Sequence, residues 1–314
     1  MKDDKFNLEK HFEKINSESA RDEKPKVSFV PKNPVWKRGD IVLPDAVCKQ
    51  FDKLLSRVRH YKKLYEEWGL NEINPQGKHL AFNLYGQPGT GKTMSVHAIA
   101  AELGKKIISV NYAEIESKYV GETGQNITEA FKTARETGAL LFFDEADSIL
   151  GKRMTDVTQA ADHAVNSTRA VMLTQLDEFD GVVAFATNLI ENFDTAFERR
   201  IAQHIEIPLP DENGRGEIFQ KKIPRKVPGR DGVDFDRLAR ESAGFGGGHI
   251  LNAVLNSLAR WVEITGKTDE MPNDGGTNLT DIISQEIILV RESKNIVGKK
   301  PETTFASRLR FWEK

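Results

Sequence analysis

Hydrophobic and polar positions divide the chain into three stretches of different character. Residues 1–39 are dense in charge and poor in large apolar side chains. Leu8, Phe12 and Ile15 fall at helical spacing there, which fits a short amphipathic helix, a docking segment or disorder. Pro25, Pro31 and Pro34 predict an extended linker. From Asp40 the pattern turns globular. Val47, Phe51, Leu54, Leu55, Val58, Tyr61 and Leu64 recur near helical intervals, with Pro44 and Asp45 suited to a helix start and Gly69 to its stop. An alternation follows. "HLAFNLYG", "KIISVN", "ALLFFDE", "VVAFATN" and "HIEIPLP" predict strands; helices are predicted over 92–103, over 125–136 and along a stretch ending near Leu176. "ALLFFDE" is apolar almost throughout, as strands covered on both faces are. Strands alternating with helices imply a parallel sheet in an α/β domain, and their spacing leaves room for crossover helices. Beyond Pro210 no strand pattern appears. "DFDRLARESAG", "GHILNAVLNSLARWVEI" and "LTDIISQEIILVRES" read as helices, with "GKTDEMPNDGGTN" as a loop between the last two. The expected organisation is a polar segment over 1–39, a large α/β domain over 40–210 and a small helical domain over 211–314.

Composition narrows the function without choosing it. The 314 residues fit one large or two moderate domains, and an apolar fraction of 39% suffices for a core. A net charge of −2 gives no electrostatic footprint for nucleic acid or anionic lipid, so neither is expected as a partner. The single Cys48 has no internal disulfide partner, and no Cys/His cluster suggests zinc; it reads as a small residue on a half-buried helix. "MKDDKFNLEKHF" lacks the apolar run of a secretory signal, and the longest apolar stretch is too short to span a bilayer. The expectation is a soluble, cytoplasmic protein without a membrane partner.

Chemistry enters at "GQPGTGKT", Gly86, Gln87, Pro88, Gly89, Thr90, Gly91, Lys92 and Thr93. This fits G-x-x-x-x-G-K-[ST] in full, after an apolar strand and at the opening of a helix. Glycines permit positive φ and close backbone approach, so successive N–H groups point at phosphates, aided by the helix N-terminus. Lys92 is expected on the β and γ phosphates of ATP, and the Thr93 hydroxyl on Mg²⁺. A chance glycine-rich turn is the plain alternative; the strand before and the helix after argue against it.

"LLFFDEAD" delivers two acids at the C-terminal end of a strand, where open α/β sheets bind ligands. Asp144 is expected to anchor the Mg²⁺ shell through water, and Glu145 to orient and polarise the attacking water. A solvated strand end is the alternative, disfavoured by the order of P-loop, crossover and acidic pair. "FATN" ends the next strand at Asn188, whose neutral amide suits a hydrogen bond to the γ-phosphate or the water.

Taken together, "GQPGTGKT", "SKYVGETGQNI", "LLFFDEADSIL", "QLDEFDGV", "FATN", "AFERRIAQHIEIPLPD" and "AGFGGGHILNAVL" resemble the AAA+ ATPases, specifically the AAA-type protein remodellers, from about Asp40 to about Arg260. The resemblance implies a P-loop parallel sheet of order 5-1-4-3-2 with helices on both faces, a small α-helical lid, and a homo-hexameric ring with nucleotide between domains and subunits. It implies that Arg199 and Arg200 are arginine fingers reaching the neighbour's γ-phosphate, a task that suits a guanidinium; a basic surface pair is the alternative. It further implies that Lys118, Tyr119, Val120 and Gly121 form a pore loop gripping an extended polypeptide by apolar contact; a tyrosine folded onto its own domain is the alternative. Arg153 and His163 fall where the family carries a second pore loop. At His249 the chain departs from the family's usual Gly-Ala-Asp, and a helix cap or adenine-side packing is the expected role rather than a catalytic one.

The absence of HExxH excludes a fused zinc peptidase, and the absence of a second P-loop implies a single-tier ring. With its short N-terminal segment the chain is not expected to carry a large substrate-receptor domain. The motifs look closest to bacterial stand-alone members, some of which resemble the pachytene-checkpoint-type ATPases that disassemble HORMA-domain signalling proteins, in bacteria as part of antiphage systems. Two other classes stand beside this reading. A nucleic-acid motor or loader shares the P-loop and finger logic but calls for a basic pore. A nucleotide-gated scaffold would assemble on ATP and seldom hydrolyse it, which an intact Glu145 disfavours.

Overall fold

The computed structural model describes residues 28–73, 80–111, 122–151, 160–188, 194–265 and 278–297. Five strands form one parallel sheet: β1 (Leu80–Tyr85), β2 (Ile107–Asn111), β3 (Leu140–Asp144), β4 (Val182–Thr187) and β5 (Ile201–Glu206). Their order is β2-β3-β4-β1-β5, the expected 5-1-4-3-2 read from the other edge. This P-loop topology places β4 between β1 and β3. Leu80 to Tyr85 run beside Val182 to Thr187, and Leu141 to Phe143 beside Val183 to Phe185, so β1, β3 and β4 end together.

The helices, in chain order, are α1 (Asp45–Arg59), α2 (Leu70–Ile73), α3 (Lys92–Glu102), α4 (Glu122–Thr137), α5 (Asp147–Leu150), α6 (Ala160–Glu178) and α7 (Thr195–Glu198), then α8 (Glu212–Lys222), α9 (Phe235–Glu241), α10 (Gly247–Thr265) and α11 (Leu279–Val297). Strand side chains alternate between faces. Leu141, Phe143, Val183 and Phe185 meet Ile127, Phe131 and Met172 from α4 and α6. Leu140, Phe142, Phe82 and Leu84 meet Val96 and Ile99 of α3 and Phe51 and Leu54 of α1. That double cover explains the unbroken apolar run of β3. Phe131 centres one layer, tilted against Phe143 at 5.8 Å and edge-on to Phe179 at 5.2 Å. A third cluster, with Phe219, Leu238, Phe245, Val254, Trp261 and Ile283, makes the core of the helices after β5.

Three local readings differ from the structure. The helix expected to run from Pro44 to Gly69 stops at Arg59. A π-helical turn follows over Lys63–Glu67, and it lets Tyr65 turn inward and stack on Tyr61 at 4.7 Å. β5 begins at Ile201, three residues before "HIEIPLP". The helix α8 was not expected, because Gly214 and Gly216 lower helix propensity. Tertiary contacts override that cost. Asp211 caps the Gly214 N–H at 2.7 Å, buried Arg215 donates to the Ala239 and Pro210 carbonyls, and Gly216 sits where an added Cβ would lie 3.7 Å from the Ala239 methyl.

From residue 28 onward the segment with Pro31 and Pro34 is extended, and it is packed. Lys32 exchanges both backbone hydrogen bonds with Ile107, at 2.9 and 2.8 Å, which pairs part of the edge of β2. Phe29 lies against the α4/α6 core layer. Phe131→Ala is expected to cost about 3–5 kcal/mol, read as a lowered midpoint in chemical denaturation.

Candidate nucleotide site

The site grows from the aligned ends of β1, β4 and β3. Gly86 leaves β1 with φ +148°, and a Cβ there would meet the Ile207 carbonyl oxygen at 2.3 Å, so only glycine fits the turn. Lys92, first residue of α3, folds back over this turn. Its ammonium donates to the carbonyls of Gly86 (2.8 Å) and Gln87 (3.0 Å) and to the Asn188 amide oxygen (2.8 Å). Burial lowers its pKa from the ordinary lysine value, while the Asp144 and Asp147 carboxylates act in the other direction. The Thr93 hydroxyl donates to Asp144 Oδ2 at 2.9 Å. A hydroxyl and a carboxylate so placed beside the P-loop lysine fit Mg²⁺, a hard cation that takes oxygen ligands.

Glu145 is exposed and has φ +53°, the one non-glycine positive φ among the described residues. Its N–H donates to Asp144 Oδ1 at 3.0 Å. The left-handed turn reverses the chain after β3, a costly conformation of the kind that collects at functional sites. The structure thus brings two hydrogen-bonded pairs, Lys92 with Asn188 and Thr93 with Asp144, to the same strand ends, with Glu145 adjoining in sequence. Gln87, Pro88, Gly89, Thr90 and Gly91 form the loop between β1 and α3, and Thr90 closes it by donating its hydroxyl to the Gln87 carbonyl at 2.9 Å.

Arg199 and Arg200 lie at the other end of the sheet. They precede β5, whose Ile201 is level with Ala81 at the start of β1, while the P-loop follows the end of β1. A strand length of about 15–20 Å separates the two ends, so these residues do not serve their own P-loop. The structure also divides the pair. Arg200 holds Asp177 with two bonds of 2.8 and 2.7 Å and donates to the Ala196 carbonyl at 2.9 Å; Asp177 raises its pKa. Arg199 is exposed and has no side-chain partner among the described residues. Sequence reasoning had paired the two, yet only Arg199 is unengaged. Lys118, Tyr119, Val120, Gly121 and Arg153 lie outside the described residues, as does the side chain of His163.

Residues that the motifs did not mark complete the pocket. A cavity of about 260 Å³ opens beside the P-loop, lined by Asp40 to Leu43, by Gly89 to Ser95, and by Ile218, Gly247, Gly248 and Leu251. Its wall is therefore shared by the N-terminal segment, the P-loop and the helices after β5. The last two touch directly: Gly248 N–H donates to the Gly89 carbonyl at 3.2 Å, and a Cβ on Gly246 would come within 2.8 Å of that oxygen. His249 Nδ1 accepts from the Gly246 N–H at 3.2 Å and caps α10. A larger groove of about 820 Å³ between α9, α10 and α11 shares none of these residues, and ion pairs such as Arg237–Asp281 line it. Size alone does not mark the site.

The N-terminal segment reaches the site as a strap across α3. Val35 N–H donates to His97 Nδ1 at 3.2 Å, and Trp36 packs edge-on to the same ring at 5.0 Å. Arg38 pairs with Asp52 and Glu102, and the Gly39 carbonyl accepts from Lys221 on α8. No sequence motif announced these contacts; Trp36 in a charged stretch was the available signal.

Residues 82–209 match the family described as "ATPase family associated with various cellular activities (AAA)", and this segment is an AAA ATPase domain. The chain is 40% identical over 181 residues to the 26S proteasome subunit RPT4 of Saccharomyces cerevisiae, covering 55% of this chain and 41% of that protein. It is 33% identical over 239 residues to the proteasome-activating nucleotidase of Methanopyrus kandleri, covering 74% and 53%. It is 40% identical over 191 residues to Protein SAV of Sulfolobus acidocaldarius, covering 57% and 24%. The chain thus spans about a quarter to a half of the length of these relatives. Among the described residues, no helix is long and apolar enough to cross a membrane.

Burial lowers the His97 pKa, with Asp144 opposing, and the neutral ring is the form that accepts from Val35. The folded value lies below the unfolded one of about 6.5. The contribution of the strap is therefore complete above about pH 6.5 and is lost as pH falls below it. Thermal midpoints measured between pH 7.5 and 5.5 should fall more steeply for the wild type than for His97→Gln.

Proposed function

We propose that this chain hydrolyses ATP with Mg²⁺ as a homo-hexameric ring and uses the cycle to pull a polypeptide through the ring's centre. The observation that carries the reading is the division of labour across the sheet. The hydrogen-bonded pairs Lys92–Asn188 and Thr93–Asp144 lie at one end, and Arg199, without a side-chain partner among the described residues, stands at the other. A site whose positive charge is incomplete in one chain is completed when a second copy presents its Arg199. Lys92 exchanges carbonyl acceptors for phosphate oxygens and keeps its charge on the transferring group. Thr93 and Asp144 would hold Mg²⁺, which when bound would supply charge neutralisation at the phosphates. Glu145 takes the proton of the attacking water, and the Asn188 amide orients that water or the γ-phosphate. Arg200, bound to Asp177, shapes the turn that presents Arg199.

The polypeptide client rests on Lys118, Tyr119, Val120 and Gly121 as a pore loop, and it is supported by two relatives whose names associate them with the proteasome. A HORMA-domain signalling complex, disassembled in antiphage defence, is the specific client that the sequence resemblance suggests. A nucleic-acid motor is disfavoured by the near-neutral charge, and a rarely hydrolysing scaffold by the exposed Glu145 beside Asp144.

Glu145→Gln should retain ATP, hold the hexamer and lose turnover by at least about a hundredfold. Arg199→Ala should also lose turnover, and mixing it with Glu145→Gln subunits should restore part of the rate. Normal turnover in Glu145→Gln, or no recovery at any mixing ratio, would overturn the assignments. For the client, Tyr119→Ala should leave basal ATP hydrolysis intact and stop unfolding of a tagged reporter protein; unimpaired unfolding would refute the pore reading.

A further inference from the structure

The proposed cycle uses Asp144 and Glu145 and leaves Asp147, the third acid of "DEAD", without a task. Asp147 opens α5, two residues after the left-handed turn at Glu145. Its Oδ1 reaches across to the end of β4 and accepts the backbone N–H of Asn188 at 2.9 Å. The other end of Asn188 is also held, because its amide oxygen accepts from Lys92 at 2.8 Å. Asn188 is therefore suspended between the acidic turn and the P-loop lysine. A carboxylate acceptor makes the stronger kind of hydrogen bond to an N–H group.

We propose that Asp147 is a positioning residue: it fixes the Asn188 backbone and thereby aims the Asn188 amide at Lys92 and the phosphate end of the site. This rests on the proposed role of Asn188. Independent bonds clamp the same turn on either side of Asp147. Ala146 N–H donates to the Ala186 carbonyl at 3.0 Å, Asp194 N–H to the Leu150 carbonyl at 2.9 Å, and Arg169 Nε to the Ile149 carbonyl at 3.1 Å. The turn is thus held without the Asp147 carboxylate, whereas the Asn188 N–H depends on it. Displacement of a reacting constellation by about 1 Å costs on the order of a hundredfold in rate while binding is spared.

Two variants and three measurements test the assignment. Asp147→Ala should lower kcat for ATP by about tenfold to a hundredfold and change the Kd for ATP by less than about threefold. Asp147→Asn keeps a side-chain oxygen acceptor and should retain most of the rate. Hydrogen exchange across Val182–Asn188 should quicken at Asn188 in Asp147→Ala and stay at the wild-type rate in Asp147→Asn. Unchanged exchange in Asp147→Ala would overturn the proposal. So would an Asp147→Asn form as impaired as Asp147→Ala, which would mean that the charge itself acts, as a metal ligand or base. Failure of the underlying ATPase reading has a different signature: a wild-type rate that Glu145→Gln does not reduce. The exchange measurement judges the role of Asp147 in that case too.

Discussion

Parallel alignment of β1, β4 and β3 is the constraint on which the rest of the molecule depends. Because β4 lies between the other two, Asn188 stands between the P-loop and Asp144, and Lys92 reaches it in one hydrogen bond. Parallel pairing requires crossover helices, and these bury both faces of the sheet under separate apolar layers. The same layers that stabilise the fold thus hold three strand ends in register. The proposed chemistry, which calls for a lysine, two acids and an amide close together, would be built on that rigidity.

The pocket beside the P-loop has a different construction. Its walls come from the strap, from the P-loop and from the helices after β5. Gly246 and Gly248 permit the backbone of α10 to touch Gly89, and Lys221 ties α8 to the strap at Gly39. A molecule filling this cavity touches all three parts at once. The cavity is in that sense a contact between parts of the chain, and His97 with Trp36 extends it to the residues before α1.

Charge placement separates the two arginines that the sequence sets side by side. Arg200 is spent on Asp177, a partner 23 positions earlier on α6, and Arg199 points to solvent. A surface guanidinium is well hydrated and costs little to leave unpaired in one chain. In the proposed ring it would become useful where a neighbouring copy brings phosphate charge to it.

Much of this was legible in the sequence. Element order, the sheet, the P-loop and the acids at Asp144 and Glu145 could be read because periodicity and glycine spacing are local properties, imposed by backbone geometry over a few residues. α8 was hidden by two glycines that make tertiary contacts, Gly214 against Asp211 and Pro210 and Gly216 beside Ala239. The break after Arg59, the strap on His97 and the bond from Asp147 to Asn188 were equally hidden. Each joins residues far apart in the chain, or trades local propensity for a contact made elsewhere. Sequence determined which groups are candidates for the chemistry; tertiary structure decided which of them meet, because hydrogen bonds are made at a distance of about 3 Å whatever the separation along the chain.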